Sequence, residues 1–277
     1  MVHLLKTIIY RLKHNQVFDT AAQLSYYILL SFFPFLLLAV TLIGYLPYSS
    51  ENVLSVLKPV IPSSTYHLIE NNLVSILDEQ NSGLLSFSII STIYTASLAF
   101  QSIIRSLDLA YQVNNNRSFW KGALLGFFLM FGLLAGLLVS LGLSVFGQLL
   151  ASYFLGEIAL AAWFVHLWVY VRWFISSAMV FFVLLSLYIM APHTKVTLIQ
   201  ALPGAIFATI GWQLSSLGFS YYASFNNYSL VYGNLGGIII LTGWFYISSL
   251  VLIVGGHINA VYADEKKSAK RRSKTKA

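Results

Sequence analysis

The placement of charge constrains this chain more than any motif in it. Asp, Glu, Lys and Arg are absent from residues 20–50, 80–104, 122–156, 173–194 and 196–263. Each of these runs exceeds the ~20 residues that a helix needs to cross a bilayer. Only 9% of the residues are charged, against 58% hydrophobic, at a mean hydropathy of +0.76; a soluble domain carries roughly 25% charge. A soluble globule is therefore excluded. A porin-like barrel needs short segments of alternating polarity, whereas these runs are apolar on all sides. The expected fold class is all-α, a polytopic integral membrane protein.

The run from 196 to 263 is too long for one crossing and contains the turn-prone residues Asn226, Asn227, Gly233 and Asn234, so it divides into two helices. The expected spans are 22–46, 83–105, 122–147, 168–190, 201–222 and 235–257, six transmembrane helices in all. Residues 148–167 suit a loop, a re-entrant segment or an extension of span three. Lys and Arg, which cytoplasmic loops retain, test this division independently. Lys6, Arg11 and Lys13 precede span one; Arg105, Arg117 and Lys121 lie between spans two and three; Lys195 lies between four and five; and seven more follow span six. The opposite side holds only Lys58 and Arg172. This split, 14 against 2, predicts an N-in, C-in topology, which requires an even number of spans. The first apolar run is longer than a signal-peptide core and lacks a small-residue cleavage site, so it is expected to stay in the mature protein.

Residues 1–262 are expected to form the membrane domain, and 263–277 a disordered basic cytoplasmic tail. The outer loop, 47–82, is broken by Pro59 and Pro62, and then repeats Tyr66, Ile69, Leu73, Ile76 and Leu77 at helical spacing. It is expected to lie on the outer membrane surface as short amphipathic helices, as a lid or as a substrate-binding element. The tail carries seven cations and suits anionic lipid headgroups. It lacks the interleaved aromatic and base-reading groups of a nucleic-acid site, so the bilayer is the expected partner and nucleic acid is not.

Polar side chains that recur on one face of a span point into the bundle or a cavity. Span one carries Gln23, Tyr27, Ser31 and Pro34; span five carries Thr209, Gln213, Ser216 and Ser220; span six carries Thr242, Tyr246, Ser249 and His257. These stripes either line one hydrated route or are satisfied locally, with Ser and Thr bonding their own helix and Gln reaching a neighbour. Arg172, among Trp168, Tyr170 and Trp173, is either an anion contact on that route or a snorkelling member of an aromatic belt. His257 either titrates on the route or meets solvent at a helix end. Arg105 and Asp108, at i and i+3, are expected to pair at the cytoplasmic rim.

Span three carries a small-residue stripe instead: Gly132, Gly136, Ser140, Ser144 and Gly147. Small residues let helices approach closely, so this is a packing face, within the chain or in a homo-oligomer. No P-loop, HExxH, G-x-S-x-G or dense His/Asp cluster occurs, and there is no Cys. No enzyme, metal or cofactor is therefore expected.

Four segments together carry a resemblance: AAQLSYYILLSFFPFLL at 21–37, RSFWK at 117–121, LPGAIFATIGW at 202–212 and YGNLGGIIILTGWFYISSLVLIVGGHINA at 232–260. In order and spacing the chain resembles the YihY/BrkB family of bacterial inner-membrane proteins, once labelled ribonuclease BN. The resemblance implies a multi-pass protein of the cytoplasmic membrane with six helices, both termini inside, and transport or export of an envelope-related compound. It also exposes the nuclease label as a misattribution, because a metal-dependent nuclease needs a water-exposed His/Asp centre. Members usually end the last span with a Gly-Ala-Glu-like sequence, where this chain reads Gly255, Gly256, His257. The leading expectation is a transporter or flippase-like exporter of an amphiphilic or anionic compound, with a route among spans one, four, five and six. The alternative is a non-transporting scaffold or envelope assembly factor.

Overall fold

The computed structural model of the chain describes residues 2–45, 74, 81–113, 161–225 and 236–275. The described residues form six helices: α1 (Val2–His14), α2 (Val17–Gly44), α3 (Ser82–Ala110), α4 (Ala161–Met190), α5 (Leu198–Phe225) and α6 (Gly236–Thr275). Among them, four stretches are long and apolar enough to cross a membrane: Val17–Leu42, Ser82–Ala110, Trp173–Met190 and Gly236–Ser268. The 28 residues of α5 reach about 42 Å, enough to cross, but Gln213 and its serines make this helix more polar. Expected span three and nearly all of the outer loop lie outside the described residues.

Local chemistry sets the helix ends. Asn81 caps α3, its side chain accepting from the Leu84 N–H at 2.9 Å. Pro192 follows the end of α4, and Thr197 with Gln200 forms a capping pair at the start of α5, the Gln200 Oε1 accepting from the Thr197 N–H at 2.9 Å. Between α1 and α2 the chain turns in two residues, with Gln16 at a φ of 48°, in the left-handed region that side chains adopt rarely.

The shared core lies at one end of the bundle. Val17, Ala21 and Leu24 from the start of α2 meet Ile103, Ile104 and Leu107 from the end of α3. Leu185, Leu187 and Tyr188 at the end of α4, Ala201, Ala205 and Ala208 at the start of α5, and Ile253 of α6 complete the cluster. Among the described helices, α2 and α5 therefore run away from this end, and α3, α4 and α6 run towards it. α1 and the C-terminal part of α6 pack there together, so both chain termini emerge on the same side.

Lipid tails are as apolar as Leu, so association of such helices depends on close packing rather than on removing apolar surface from water. The α5–α6 crossing shows how this is achieved. A Cβ on Gly204 would overlap the Gly255 carbonyl oxygen, and one on Gly255 would overlap the Tyr188 hydroxyl. A Cβ on Gly256 would collide with the Leu107 side chain. The glycines of LPGA and VGGH thus bring the α5 and α6 backbones together and let Tyr188 of α4 and Leu107 of α3 press against the α6 backbone.

Two expectations need correction. At 40 residues, α6 is about 60 Å long, twice the ~30 Å hydrocarbon core. His257 is therefore not a helix end, and the segment expected to be disordered is helical through Thr275. The helix that holds expected span four starts at Ala161, ahead of residue 168, while its apolar stretch is Trp173–Met190.

Candidate functional site

At the end where the termini emerge, α3 stops abruptly. The Gln112 N–H donates to the Leu109 carbonyl at 3.2 Å and the Val113 N–H to the Asp108 carbonyl at 3.0 Å, with Gln112 at a φ of 56°. This is a Schellman closure with Gln in the place usually taken by Gly. It leaves the Asp108 side chain in the last helical turn, at the negative end of the helix dipole. Asp108 is nevertheless only 2% exposed, and it is the only Asp, Glu, Lys or Arg side chain among the described residues to be buried.

His193 is what makes that position tolerable. The connection between α4 and α5 brings its backbone N–H to Asp108 Oδ1 at 2.8 Å and its ring Nδ1 to Oδ2 at 2.6 Å. Both carboxylate oxygens are thus bonded to one residue, and the carboxylate selects the ring form that carries a proton on Nδ1. The other ring nitrogen, Nε2, is buried and has no hydrogen-bond partner among the described residues.

A second polar node ties the terminal segments to the bundle. His257, 1% exposed, has Nδ1 at 3.0 Å from the Ile253 carbonyl. Nδ1 must therefore donate, leaving Nε2 to accept from Asn15 Nδ2 at 3.2 Å. The same amide reaches the Leu109 carbonyl at 3.5 Å, so Asn15 bridges α3 and α6 from the α1–α2 turn. Arg11 Nη2 meets Asp264 Oδ2 at 2.7 Å, joining α1 to α6. Nearby, burial pushes the Tyr111 phenol well above its ordinary pKa, and the Asp264 charge adds to the shift. Asn259 Oδ1 accepts from the Gly204 N–H at 2.6 Å, and the Tyr188 hydroxyl donates to the Leu252 carbonyl at 2.7 Å. Tyr111 Oη, Arg11 Nη1 and Asn259 Nδ2 are buried without hydrogen-bond partners among the described residues.

The residues singled out in the sequence are placed differently from one another. The expected Arg105–Asp108 pair does not form: Asp108 turns inward to His193, while Arg105 lies on the exposed side of α3. On α2, Gln23 is exposed, Tyr27 is half-buried and Ser31 bonds its own Ile28 carbonyl at 2.8 Å. Gln213 reaches from α5 to α4, donating to Ser177 Oγ at 2.7 Å. Ser216 accepts from Trp244 Nε1 of α6 at 3.3 Å. Thr209 and Thr242 bond the Ala205 and Ile238 carbonyls of their own helices at 2.8 and 2.7 Å. Tyr246 packs against the core, and Ser249 is buried with no partner for its Oγ among the described residues. The polar residues of α5 thus join α4 and α6, and no hydrogen bond among the described residues links them to the stripe on α2. Arg172 falls in α4, but its side chain lies outside the described residues, as do Gly132, Gly136, Ser140, Ser144 and Gly147.

The contacts of His193 with Asp108 and of Asn15 with His257 were not legible in the sequence. The signals were present, in a histidine directly after the helix-ending Pro192 and in an Asn-Gln pair between two apolar stretches, but neither identifies a partner distant in sequence. Among the described residues no three His, Cys, Asp or Glu side chains gather as a metal site would require.

Comparison with known proteins adds an independent line. A family model described as "Virulence factor BrkB" matches residues 8–277. A ribonuclease-like protein of Bacillus subtilis strain 168, YfkH, is 44% identical over 251 residues, covering 89% of this chain and 90% of that protein. A UPF0761 membrane protein of Vibrio vulnificus strain YJ016 is 27% identical over 265 residues, 93% of this chain and 81% of the relative. Another, from Histophilus somni strain 2336, is 25% identical over 268 residues, with 94% and 90% covered. No solved structure matches the chain.

Proposed function

The chain belongs to the BrkB family of membrane proteins, and on that footing we propose that it is a transporter or flippase-like exporter of an amphiphilic or anionic envelope-related compound. In this reading it sits in the bacterial cytoplasmic membrane with six crossings and both termini inside. The 14-to-2 partition of Lys and Arg supports that topology, as does the contact of the two terminal helices through Arg11 and Asp264. The proposal includes no catalytic step and no cofactor.

The observation that carries it is the buried Asp108–His193 pair. A static scaffold gains little from such a pair, because a buried carboxyl with its polar partner is often no more stabilising than apolar side chains of the same volume. Ionisable residues buried in a membrane bundle tend to mark the paths and seams that move during transport. This pair joins the end of α3 to the α4–α5 connection, and the ring's Nε2 has no partner among the described residues. Gln213, Ser177 and Ser216 extend polar contact along α4, α5 and α6.

The test is reconstitution into liposomes carrying a fluorescent phosphatidylglycerol in both leaflets, with movement read by reduction of the outer-leaflet dye. Wild-type protein is expected to make inner-leaflet dye accessible faster than protein-free vesicles. Asp108→Asn is expected to slow that movement severalfold, and Arg172→Leu and Gln213→Leu to slow it as well. No movement of this probe or of a panel of anionic amphiphiles by the wild type would overturn the proposal. Unchanged movement in the Arg172 and Gln213 variants would remove those two residues from the route.

A further inference from the structure

Helix α1 has a face that neither the core nor the proposed route explains. Lys6, Ile9, Tyr10 and Lys13 stand at i, i+3, i+4 and i+7, which places them on one side of the helix. All four are exposed, Ile9 at 54% and Tyr10 at 67%. The other side is engaged: Leu12 packs against the core and Arg11 pairs with Asp264. Two large apolar side chains flanked by two cations are poorly suited to water, yet the cations suit no apolar protein groove.

Position supplies the missing partner. Only Asn15 and Gln16 separate α1 from Val17, where the first membrane-crossing stretch begins. Two residues reach at most about 7 Å, so the end of α1 is held at the membrane boundary. At that depth Tyr is favoured and Lys extends its ammonium towards headgroups. Residues 1–18 contain no Asp or Glu. The exposed Lys266 and Lys267 of α6 leave the bundle at the same end, on the helix that Asp264 ties to Arg11.

We propose that α1 is an interfacial foot that lies on the bilayer, seating Ile9 and Tyr10 among the lipids and binding anionic phospholipid headgroups through Lys6 and Lys13. The basic extension of α6 continues the same cationic surface. The bundle end is thereby anchored at a fixed depth, with Arg11–Asp264 as the clamp. This rests on α2 crossing the bilayer and not on transport.

The chain has no Cys, so single substitutions Ile9→Cys, Tyr10→Cys and Lys267→Cys each give one spin-label site on an exposed position. The full-length protein is reconstituted into phosphatidylcholine vesicles with and without phosphatidylglycerol, and label collisions with oxygen and with a water-soluble nickel complex are compared. Labels at 9 and 10 are expected to be oxygen-accessible and nickel-shielded, and to shift deeper when phosphatidylglycerol is present. That shift is expected to disappear in a Lys6→Gln/Lys13→Gln background, while position 267 stays nickel-accessible. Nickel access at 9 and 10 would place the face in water and overturn the proposal. Shielding from both reagents would place it under protein and overturn it equally. A depth indifferent to phosphatidylglycerol would refute the anionic-headgroup site.

Discussion

Asp108 holds His193 with both of its carboxylate oxygens, one on the ring nitrogen at 2.6 Å and one on the backbone N–H at 2.8 Å. The two residues are 85 positions apart, and their contact fastens the connection between α4 and α5 to the end of α3. A buried polar group left without its hydrogen-bond partner costs about 1–3 kcal/mol, more when it is charged. Asp108→Ala is therefore expected to lower stability by about that amount, because it strands the His193 backbone N–H and Nδ1, and His193→Ala by a comparable amount, because it leaves the carboxylate without its ring partner. Thermal unfolding in detergent measures both. Coupling near zero in a double-mutant cycle would contradict the pairing.

Asn15 is expected to matter beyond its place in a short turn. In Asn15→Ala, the buried Nε2 of His257 loses its donor, which costs about 1–3 kcal/mol. Asn15→Ala and His257→Ala should then be strongly non-additive, because each removes the same bond. Additive losses in unfolding midpoint would show that the bond contributes little.

The glycines divide into two kinds that a single substitution separates. Gly204→Ala and Gly255→Ala place a methyl group against backbone or a hydroxyl and should destabilise sharply. Gly218→Ala meets nothing within 4 Å among the described residues, and it should stabilise by about 0.5–1 kcal/mol by restricting the unfolded chain. Opposite signs in the melting shift are the expected result.

Tyr111 sets an alkaline limit. Its folded pKa is raised by burial and then by Asp264, so its contribution is fully present below the ordinary phenol range near 10. That contribution is lost as pH rises above it, since the unfolded chain ionises first. Tyr111→Phe should be neutral or stabilising at neutral pH, because the hydroxyl has no partner among the described residues. It should also flatten the loss of stability above pH ~10. An unchanged alkaline profile would exclude Tyr111 as its source.

The sequence by itself determined that the chain is a helical membrane protein and roughly where most of the described helices lie, since uncharged runs and Lys/Arg placement follow directly from the cost of charge in lipid. It also exposed the glycines of LPGA and VGGH, although not that they face one another. The fate of individual polar side chains was decided only by the tertiary structure. Arg105 and Asp108 are close enough in sequence to pair, but a turn of the helix sends one to the surface and the other to His193. His257 looked like a helix end because hydropathy falls after it, yet α6 continues, since lysine-rich segments form helices readily once a span nucleates them. Periodicity reports which side chains share a face. Which distant backbone turn delivers a donor to that face depends on how the helices pack, and that is where Asp108 found His193 and His257 found Asn15.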